Sequence, residues 1–400
     1  MNPKPSTLFM KKPLLLLHLL VVFSCTQRSD RTSQENSELS KSTLAIEYKK
    51  TINLNLDNKT SNWSSSIQYY EDSKNKYLIL ASTSTNSVQF YDLNGNLQKE
   101  VTCEWEGPES TGKMQSFLYT GKDSLYILNI NTHRIFRLSD KGKVLKLYQL
   151  EPWKTDDYFT IPFAICAMPM EIVDDKLYIP GLPGVYYFKN PTDYLTKGKL
   201  TISLDLKTGE HIEQINHPNK EKFLGKNYGS DLLYAHRTFN PITQTFIHSF
   251  PGDHSIYSYT MDGKLIDTKE LKSDYADDVL KEMANWASVD DSYKEYFHYL
   301  KNTIYEGLYF DKYRNIYYRL VKHGTNTIYS KEDVDNKKPI DCRCSLIVAD
   351  KDLNKIDEIV LEKGVRHHLV VVTPEGLLIL NKKNPQENII ALNLYEIKVK

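Results

Sequence analysis

The stretch "YDLNGNLQKE", residues 91–100, decides the fold because it has the form of a strand end, a tight turn and a new strand. Asp92, Asn94 and Gly95 are turn-forming residues, and the Asn94-Gly95 pair suits a hairpin whose backbone needs a positive φ. Hydrophobic strand residues lead into the turn from Val88 onward. A single hairpin would say little about the fold, whereas a repeated one would fix it.

The same strand–turn–strand pattern recurs along the chain. Further copies lie at 136–150, 202–215, 257–271 and 346–361, and the last of them has Asn354 in the place of the glycine. Each copy follows a second recurring piece, in which a short polar turn leads into a strand of the Leu-Tyr-Ile type. That piece is clearest at 116–130, and a sixth example occurs at 369–383. Repeated units of four short strands predict the blades of a β-propeller.

The sixth unit lacks a fourth strand after 388–399, whereas the segment 43–56 is an alternating strand without a unit of its own. We expect this early segment to complete the sixth blade, which would close the ring and remove exposed sheet edges. The sequence therefore predicts an all-β, six-bladed propeller closed by its N-terminal strand. A β-sandwich or two smaller β domains are the alternative.

Composition and the first residues bound the class of protein. Lys and Arg total 51 and Asp and Glu total 51, so the neutral chain gives no electrostatic reason to expect nucleic acid. Residues 10–25 combine two lysines, a short apolar run and Ser24-Cys25, which resembles a bacterial lipobox. We predict a lipoprotein signal peptide over 1–25 with Cys25 lipidated, and an ordinary cleaved signal is the alternative. Residues 26–43 are polar and predict a flexible tether to a propeller over 44–400.

Long loops are concentrated at one end of the predicted propeller. With strands lettered A to D from the axis outward, the B–C and D–A loops open at this end, here called the long-loop end. The longest loop has helical spacing in two segments and predicts a helical insertion over about 273–303, between blades four and five. The four tryptophans all fall in this loop class: Trp63, Trp105, Trp153 and Trp286. Such indoles can stack on a ligand or anchor a partner, or they can simply pack the loops onto the ring.

Polar residues near the long-loop end are further candidates for ligand binding. They are Asp156, Asp157, His236, Arg237, His254 and Arg366. Histidine and carboxylate from different blades can act as acid and base, although each histidine can equally be a hydrogen-bonded structural group. The sequence contains no tight metal-ligand spacing, phosphate loop or nucleophile elbow, so we predict no catalytic residue, metal or cofactor. Cys103, Cys166, Cys342 and Cys344 leave the disulfide pattern open.

The lipobox-like start, polar tether, Tyr-rich six-unit pattern and closing strand resemble the uncharacterised six-bladed propeller lipoproteins common in Bacteroidetes. The resemblance implies a propeller fold and a location in the bacterial cell envelope, and it carries over no catalytic residues. We predict a binding module that a lipid holds at a membrane and that recognises a carbohydrate, a peptide or an envelope protein. The alternatives are a glycan-directed hydrolase or lyase with a site at the channel mouth, and a scaffold for a larger complex.

Overall fold

The residues that the computed structural model describes contain six antiparallel sheets, and each sheet is one blade of a propeller. The structure describes residues 44–107, 109–150, 159–184, 191–229, 232–277, 280–283, 292–335, 343–382 and 386–399. The strands A of neighbouring blades contact one another, as in blades 4 and 5 and in blades 6 and 1, and therefore lie innermost. This architecture confirms the predicted all-β, six-bladed propeller.

Blades 1 to 3 follow one another along the chain. Blade 1 contains β2 (Ile67–Glu71), β3 (Lys76–Ser82), β4 (Ser87–Tyr91) and β5 (Leu97–Thr102). Blade 2 contains β6 (Ser116–Tyr119), β7 (Leu125–Asn129), β8 (Arg134–Leu138) and β9 (Val144–Gln149). Blade 3 has an additional strand, because both β10 (Thr160–Pro162) and β11 (Glu171–Val173) pair with β12 (Lys176–Pro183), which is followed by β13 (Lys199–Asp205) and β14 (His211–Asn216).

Blades 4 and 5 keep the simple four-strand order, and blade 6 borrows its outer strand. Blade 4 contains β15 (His236–Asn240), β16 (Thr245–Ser249), β17 (Ser255–Thr260) and β18 (Leu265–Glu270). Blade 5 contains β19 (Ile304–Asp311), β20 (Ile316–Lys322), β21 (Cys344–Ala349) and β22 (Lys355–Val360). Blade 6 contains β23 (Val365–Thr373), β24 (Gly376–Asn381), β25 (Ile389–Val399) and β1 (Leu44–Asn55).

Short helices occur in the B–C and D–A loops. They are α1 (Pro191–Lys197), α2 (Lys220–Phe223), α3 (Ser292–Lys301) and α4 (Lys331–Asp335). Helix α3 lies in the second of the two segments with helical spacing, whereas residues 280–283 of the first segment are not helical. The buried Lys322 caps α3, because its Nζ donates to the carbonyls of Tyr299 at 2.7 Å and Asn302 at 2.8 Å. No helix in the described part of the chain has the length and apolar character that crossing a bilayer demands.

Strand β1 closes the ring as the sequence predicts. It pairs antiparallel with β25 from Leu44 opposite Val399 to Asn55 opposite Ile389. Apolar clusters of described residues fill all six junctions between neighbouring blades, the junction of blades 6 and 1 included. In the cluster at the junction of blades 6 and 1, Leu54 of β1 packs with residues of β3 and is fully buried. The join is therefore held by the same hydrophobic packing as the other junctions.

The C–D turn at Gly95 explains the repeat that predicts the fold. Its amide donates to Asp92 O, and the equivalent bond forms in blades 2, 4 and 5. Gly95 has φ +84°, and a Cβ there would lie 1.7 Å from the carbonyl oxygen of Asn53 in β1. In blade 5 the equivalent residue is Leu353, with φ 64°, rather than Asn354 as expected from the sequence. The hydrogen bond from Leu353 N–H to Asp350 O fixes this corrected alignment.

Candidate functional site

Residues 163–170, here called the plug, lie between β10 and β11 and fill the central channel at its long-loop end. Phe163 N–H donates to Pro180 O at 2.9 Å, which ties the plug to its own blade. Ile165 and Met168 pair as an isolated bridge, so the segment doubles back as a short hairpin. The chain therefore enters and leaves the plug on the same side.

The plug also hydrogen-bonds to four other blades, at or just before their innermost strands. Ala164 bonds to the Gln115 side chain of blade 2. Cys166 N–H donates to Ser65 O of blade 1 at 2.9 Å, and Cys166 Sγ donates to Val370 O of blade 6 at 3.1 Å. Arg237 N–H of blade 4 donates to Ala167 O at 3.1 Å. Because the innermost strands surround the axis, a segment that reaches blades 1, 2, 4 and 6 must cross it. The channel mouth, where the hydrolase or lyase alternative has its site, is thus occupied by the protein's own chain.

Arg237, a predicted ligand-binding residue, is instead a buried contact between blades 3 and 4. Its guanidinium donates to Thr201 Oγ1 at 3.1 Å and to the carbonyls of Pro169 and Tyr178, both at 3.0 Å. Burial lowers its pKa to about 9, which leaves the group charged at neutral pH. The structure therefore places the Arg237 guanidinium in the junction of blades 3 and 4. A buried charge keeps hydrogen-bond partners, and here the partners belong to the neighbouring blade.

Arg319 makes a similar contact between blades 4 and 5, and its strand position alone does not reveal this role. Its guanidinium carbon lies 3.3 Å from the centroid of the Tyr305 ring. The guanidinium donates to Ser249 Oγ at 3.0 Å and to the carbonyls of Asp253, His254 and Leu271. Two buried arginines thus join three consecutive blades through carbonyl groups.

His254 lies in the B–C loop of blade 4 and forms a fixed hydrogen-bonded pair. Its Nε2 lies 3.0 Å from Asp277 O, and because a carbonyl only accepts, the proton is on Nε2. Its Nδ1 therefore accepts a hydrogen bond from the Tyr305 hydroxyl at 2.7 Å. His236, the other histidine candidate, is buried at the first residue of β15. The two hydrogen bonds of His254 and the burial of His236 favour a structural role for both histidines.

Trp63 and Trp105 are each 50% exposed, on two D–A loops at the long-loop end. The loop of Trp105 is fixed at its base by the buried side chain of Asn86. That side chain donates to the carbonyls of Cys103 at 2.7 Å and Gly112 at 2.9 Å. A large apolar side chain on a loop that is itself well anchored loses little entropy when it binds a ligand.

A groove with several carboxamide groups lies where β1, β24 and β25 meet the loop of Trp63. Its polar lining is Asn53, Asn62, Asn381, Lys382 and Gln386, and we call it the amide groove. Its cavity volume is about 70 Å³, so it is a shallow groove that opens to solvent. The Asn62 side chain spans it by donating to Gln386 O at 3.0 Å. Burial and the charge of the candidate Arg366 both lower the pKa of Lys382, so Arg366 lies near this groove.

Glu171 follows the plug on the innermost strand of blade 3 and has a carboxyl group that titrates near neutrality. Burial raises its pKa to about 7, and the charges of Arg237 and Lys312 oppose this rise. Sequence pattern alone does not mark Glu171, because no motif surrounds it. A lone acidic residue directly after the apolar run of the plug is the one signal that points to it.

Blade 5 brings together the residue types of a hydrolytic triad in an order that does not support catalysis. His323 Nε2 lies 2.8 Å from Ser345 Oγ, and Ser345 Oγ donates to Glu358 at 2.5 Å. In a working triad the histidine stands between the hydroxyl and the carboxylate, whereas here the fully buried serine does. The described residues also contain no cluster of three or more side chains suited to hold a metal ion.

Several predicted residues lie outside the described residues. They are Cys25, Trp153, Asp156, Asp157, Trp286 and Cys342, together with the signal peptide and the tether. Cys103 and Cys166 are buried thiols outside any disulfide, and burial raises their pKa to about 12 and about 11. Cys344 is also buried.

Comparison with known proteins places the chain in a family. A family model described as "Domain of unknown function (DUF4221)" matches residues 43–360. The crystal structure of a DUF4221 member from Bacteroides vulgatus ATCC 8482 superimposes with a TM-score of 0.73 at 18% identity, covering 90% of this chain and 99% of that one. A protein from Bacteroides fragilis NCTC 9343, whose description suggests export, gives a TM-score of 0.54 at 10% identity over 89% of this chain and 96% of its own. None of the curated proteins matches the chain. Because the family model spans most of the sequence, the protein belongs to the DUF4221 family.

Proposed function

We propose that the protein is an envelope-anchored binding module whose long-loop end recognises a carbohydrate, a peptide or an envelope protein. One observation carries the proposal: Trp63 and Trp105 stay half exposed on anchored loops at the end where the plug fills the channel. A ligand at this end therefore meets the outer surface of the loops. Binding residues on loops above a rigid scaffold are a common arrangement.

The proposed location rests on two supports. The run of residues 10–25 has the order of an export signal that ends at Cys25. The similar structures come from Bacteroides, and the description of one suggests export, which favours a place outside the cytoplasm. We expect the mature chain to begin at Cys25 with attached lipid. Mass spectrometry of the mature N-terminus checks this, and a Cys25→Ala variant that remained membrane-bound would contradict it.

A glycan and peptide array probed with the purified full-length chain tests the binding function. We expect Trp63→Ala or Trp105→Ala to weaken capture of at least one ligand about tenfold, since aromatic anchors carry much of the binding energy. Ile242→Ala is the matched control, because Ile242 is 60% exposed but lies in an A–B turn at the opposite end. Unchanged capture by both tryptophan variants would remove the aromatic surface from the proposal.

A glycan-directed hydrolase or lyase is the second candidate, and Glu171 is the observation that favours it. A carboxyl with a pKa near 7 can give or take a proton at neutral pH. The array glycans should then be converted to products by the wild-type chain and not by Glu171→Gln. If no product forms from any captured glycan, the binding function stands alone.

A further inference from the structure

The charged group that lines the amide groove is a cation. Among the described residues that line it, Lys382 is the one cation, and none is acidic. Lys382 is partly buried, and burial together with the neighbouring Arg366 disfavours its charged form. Holding positive charge in such a place costs free energy, which a bound anion would offset.

The remaining polar groups of the groove suit hydroxyl groups. A carboxamide has two N–H donors and a carbonyl acceptor, which can pair with neighbouring hydroxyls on one ring. Asn62 and Asn381 each use one donor within the protein, to Gln386 O and Asn393 Oδ1. Asn53 and Asn381 come from strands β1 and β24, so part of this lining is positioned by the sheet rather than by a loop. Trp63 directly follows Asn62 of the lining in sequence, and its indole is half exposed.

We propose that the amide groove binds a carboxylated sugar residue within an oligosaccharide, of which a uronic acid is the simplest. This inference rests on the proposed binding function and narrows its ligand class. Lys382 pairs with the sugar carboxylate as a charge-assisted hydrogen bond. The carboxamides of Asn53, Asn62 and Asn381 bind the hydroxyls, and the indole of Trp63 stacks on an adjacent ring.

A peptide fits the groove less well than an acidic sugar. Extended peptides commonly add to an unpaired strand edge or insert side chains into apolar pockets. Here β24 and β25 are each paired on both sides, and β1, the edge strand, already donates from Asn55 N–H to Gly95 O of the neighbouring blade. The apolar members of the lining, such as the buried Leu380 and Ile390, are themselves part of the sheet.

Calorimetric titration of the purified full-length chain tests the inference. The probes are trigalacturonate, a hyaluronate oligosaccharide and sialyllactose, each compared with a neutral counterpart such as galactotriose or lactose. We expect at least one acidic probe to bind about tenfold more tightly than its counterpart, with a preference that falls at high salt. Lys382→Gln should abolish that preference. Lys264→Gln is the matched control, because Lys264 is an exposed lysine in the C–D turn of blade 4.

The outcomes separate this inference from the proposed function. Equal affinity for acidic and neutral probes, binding of none of the acidic probes, or an unchanged preference in Lys382→Gln overturns the carboxylated ligand. Capture of neutral glycans or of peptides that depends on Trp63 or Trp105 would overturn it while leaving the binding module intact. Circular dichroism and thermal melting of each variant show whether a loss reflects the groove or the fold.

Discussion

The backbone amide of Asn55 donates a hydrogen bond to the carbonyl oxygen of Gly95 at 2.9 Å. Asn55 ends the strand that closes the ring, and Gly95 lies in the C–D turn of the blade beside it. The turn that reveals the repeat in the sequence is therefore also a contact that seals the ring. Its close approach to β1 leaves no room for a side chain at residue 95.

Gly95→Ala should destabilise the protein far more than Gly209→Ala. Both glycines are in C–D turns with φ near +84°, so both variants pay the backbone cost of about 1–2 kcal/mol. A Cβ at Gly209 would have Tyr148 at 4.0 Å as its nearest contact, whereas at Gly95 it would overlap Asn53 O. Urea denaturation should give an additional loss of about 2 kcal/mol or more for Gly95→Ala. Equal losses would mean that β1 can move away without cost.

Arg319→Met should destabilise the junction of blades 4 and 5. The substitution removes the guanidinium donor of Asp253 O and Leu271 O, whereas His254 O keeps the amide of Leu271. Each buried group left unsatisfied costs about 1–3 kcal/mol. We expect a total loss of about 3 kcal/mol or more in the free energy of unfolding. Arg134→Met is the control, because Arg134 is exposed and bonds to Gln149 on the surface. A loss no larger than that of the control would contradict a clamping role.

Acidification should weaken the fold through two buried histidines between blades 3 and 4. Neither ring nitrogen of His217 or His248 has a hydrogen-bond partner in the described structure. Burial lowers the pKa of His217 to about 4, partly opposed by Asp253. Burial also holds the pKa of His248 well below its usual range, and Arg237 and His217 add to this effect.

The direction of this pH dependence follows from the protons that the folded and unfolded states bind. Between pH 6.5 and about 4 the unfolded imidazole of His217 is protonated and the folded one is not, so stability falls as pH falls. This one group should remove about 3 kcal/mol across that window. His217→Leu should keep its stability at pH 8 and flatten the dependence, whereas control His211→Leu should not. Glu171 has the opposite effect on stability. Because its pKa is raised, the folded state takes up a proton before the unfolded state as pH falls, which stabilises the fold. The variants are therefore compared with wild type at each pH.

The plug should protect the Cys166 thiol from alkylation. Cys166 is buried, and burial raises its pKa to about 11, so little thiolate forms at pH 8. Iodoacetamide labelling followed by mass spectrometry should find Cys166 unmodified until the protein is unfolded. Gln115→Leu removes the side chain that bonds to Ala164 and should speed the labelling, whereas Gln98→Leu at an exposed position should not. Rapid labelling of the wild-type chain would show that the plug opens readily.

The fold could be predicted from the sequence because its signals are local. Turn residues such as Asp92 and Gly95 act within a few positions, and the alternating strands beside them show which faces are buried. The closing strand could be assigned because one unit lacked a strand and one strand lacked a unit. The shift from Asn354 to Leu353 shows the limit, since a leucine with positive φ has no local signature.

The candidate site was harder to predict because its residues are determined by contacts between distant segments. Arg237 lies at the expected place on strand A, but its side chain enters the junction with blade 3, where it donates to carbonyls of that blade. The plug is a run of small and apolar residues that resembles strand material, and only the closed ring shows that it crosses the axis. Asn53, Asn381 and Lys382 form a groove although they belong to opposite ends of the sequence.

The pairing of β1 with β25 also constrains how the chain can mature. Thr51 and Asn393, which hydrogen-bond across this pair, are 342 residues apart in sequence. During synthesis β1 must remain unpaired until β25 has emerged, and in that interval its edge is open to wrong partners. A slow, late docking step and a dependence on chaperones that shield that segment are the expected cost of a ring fastened in this way.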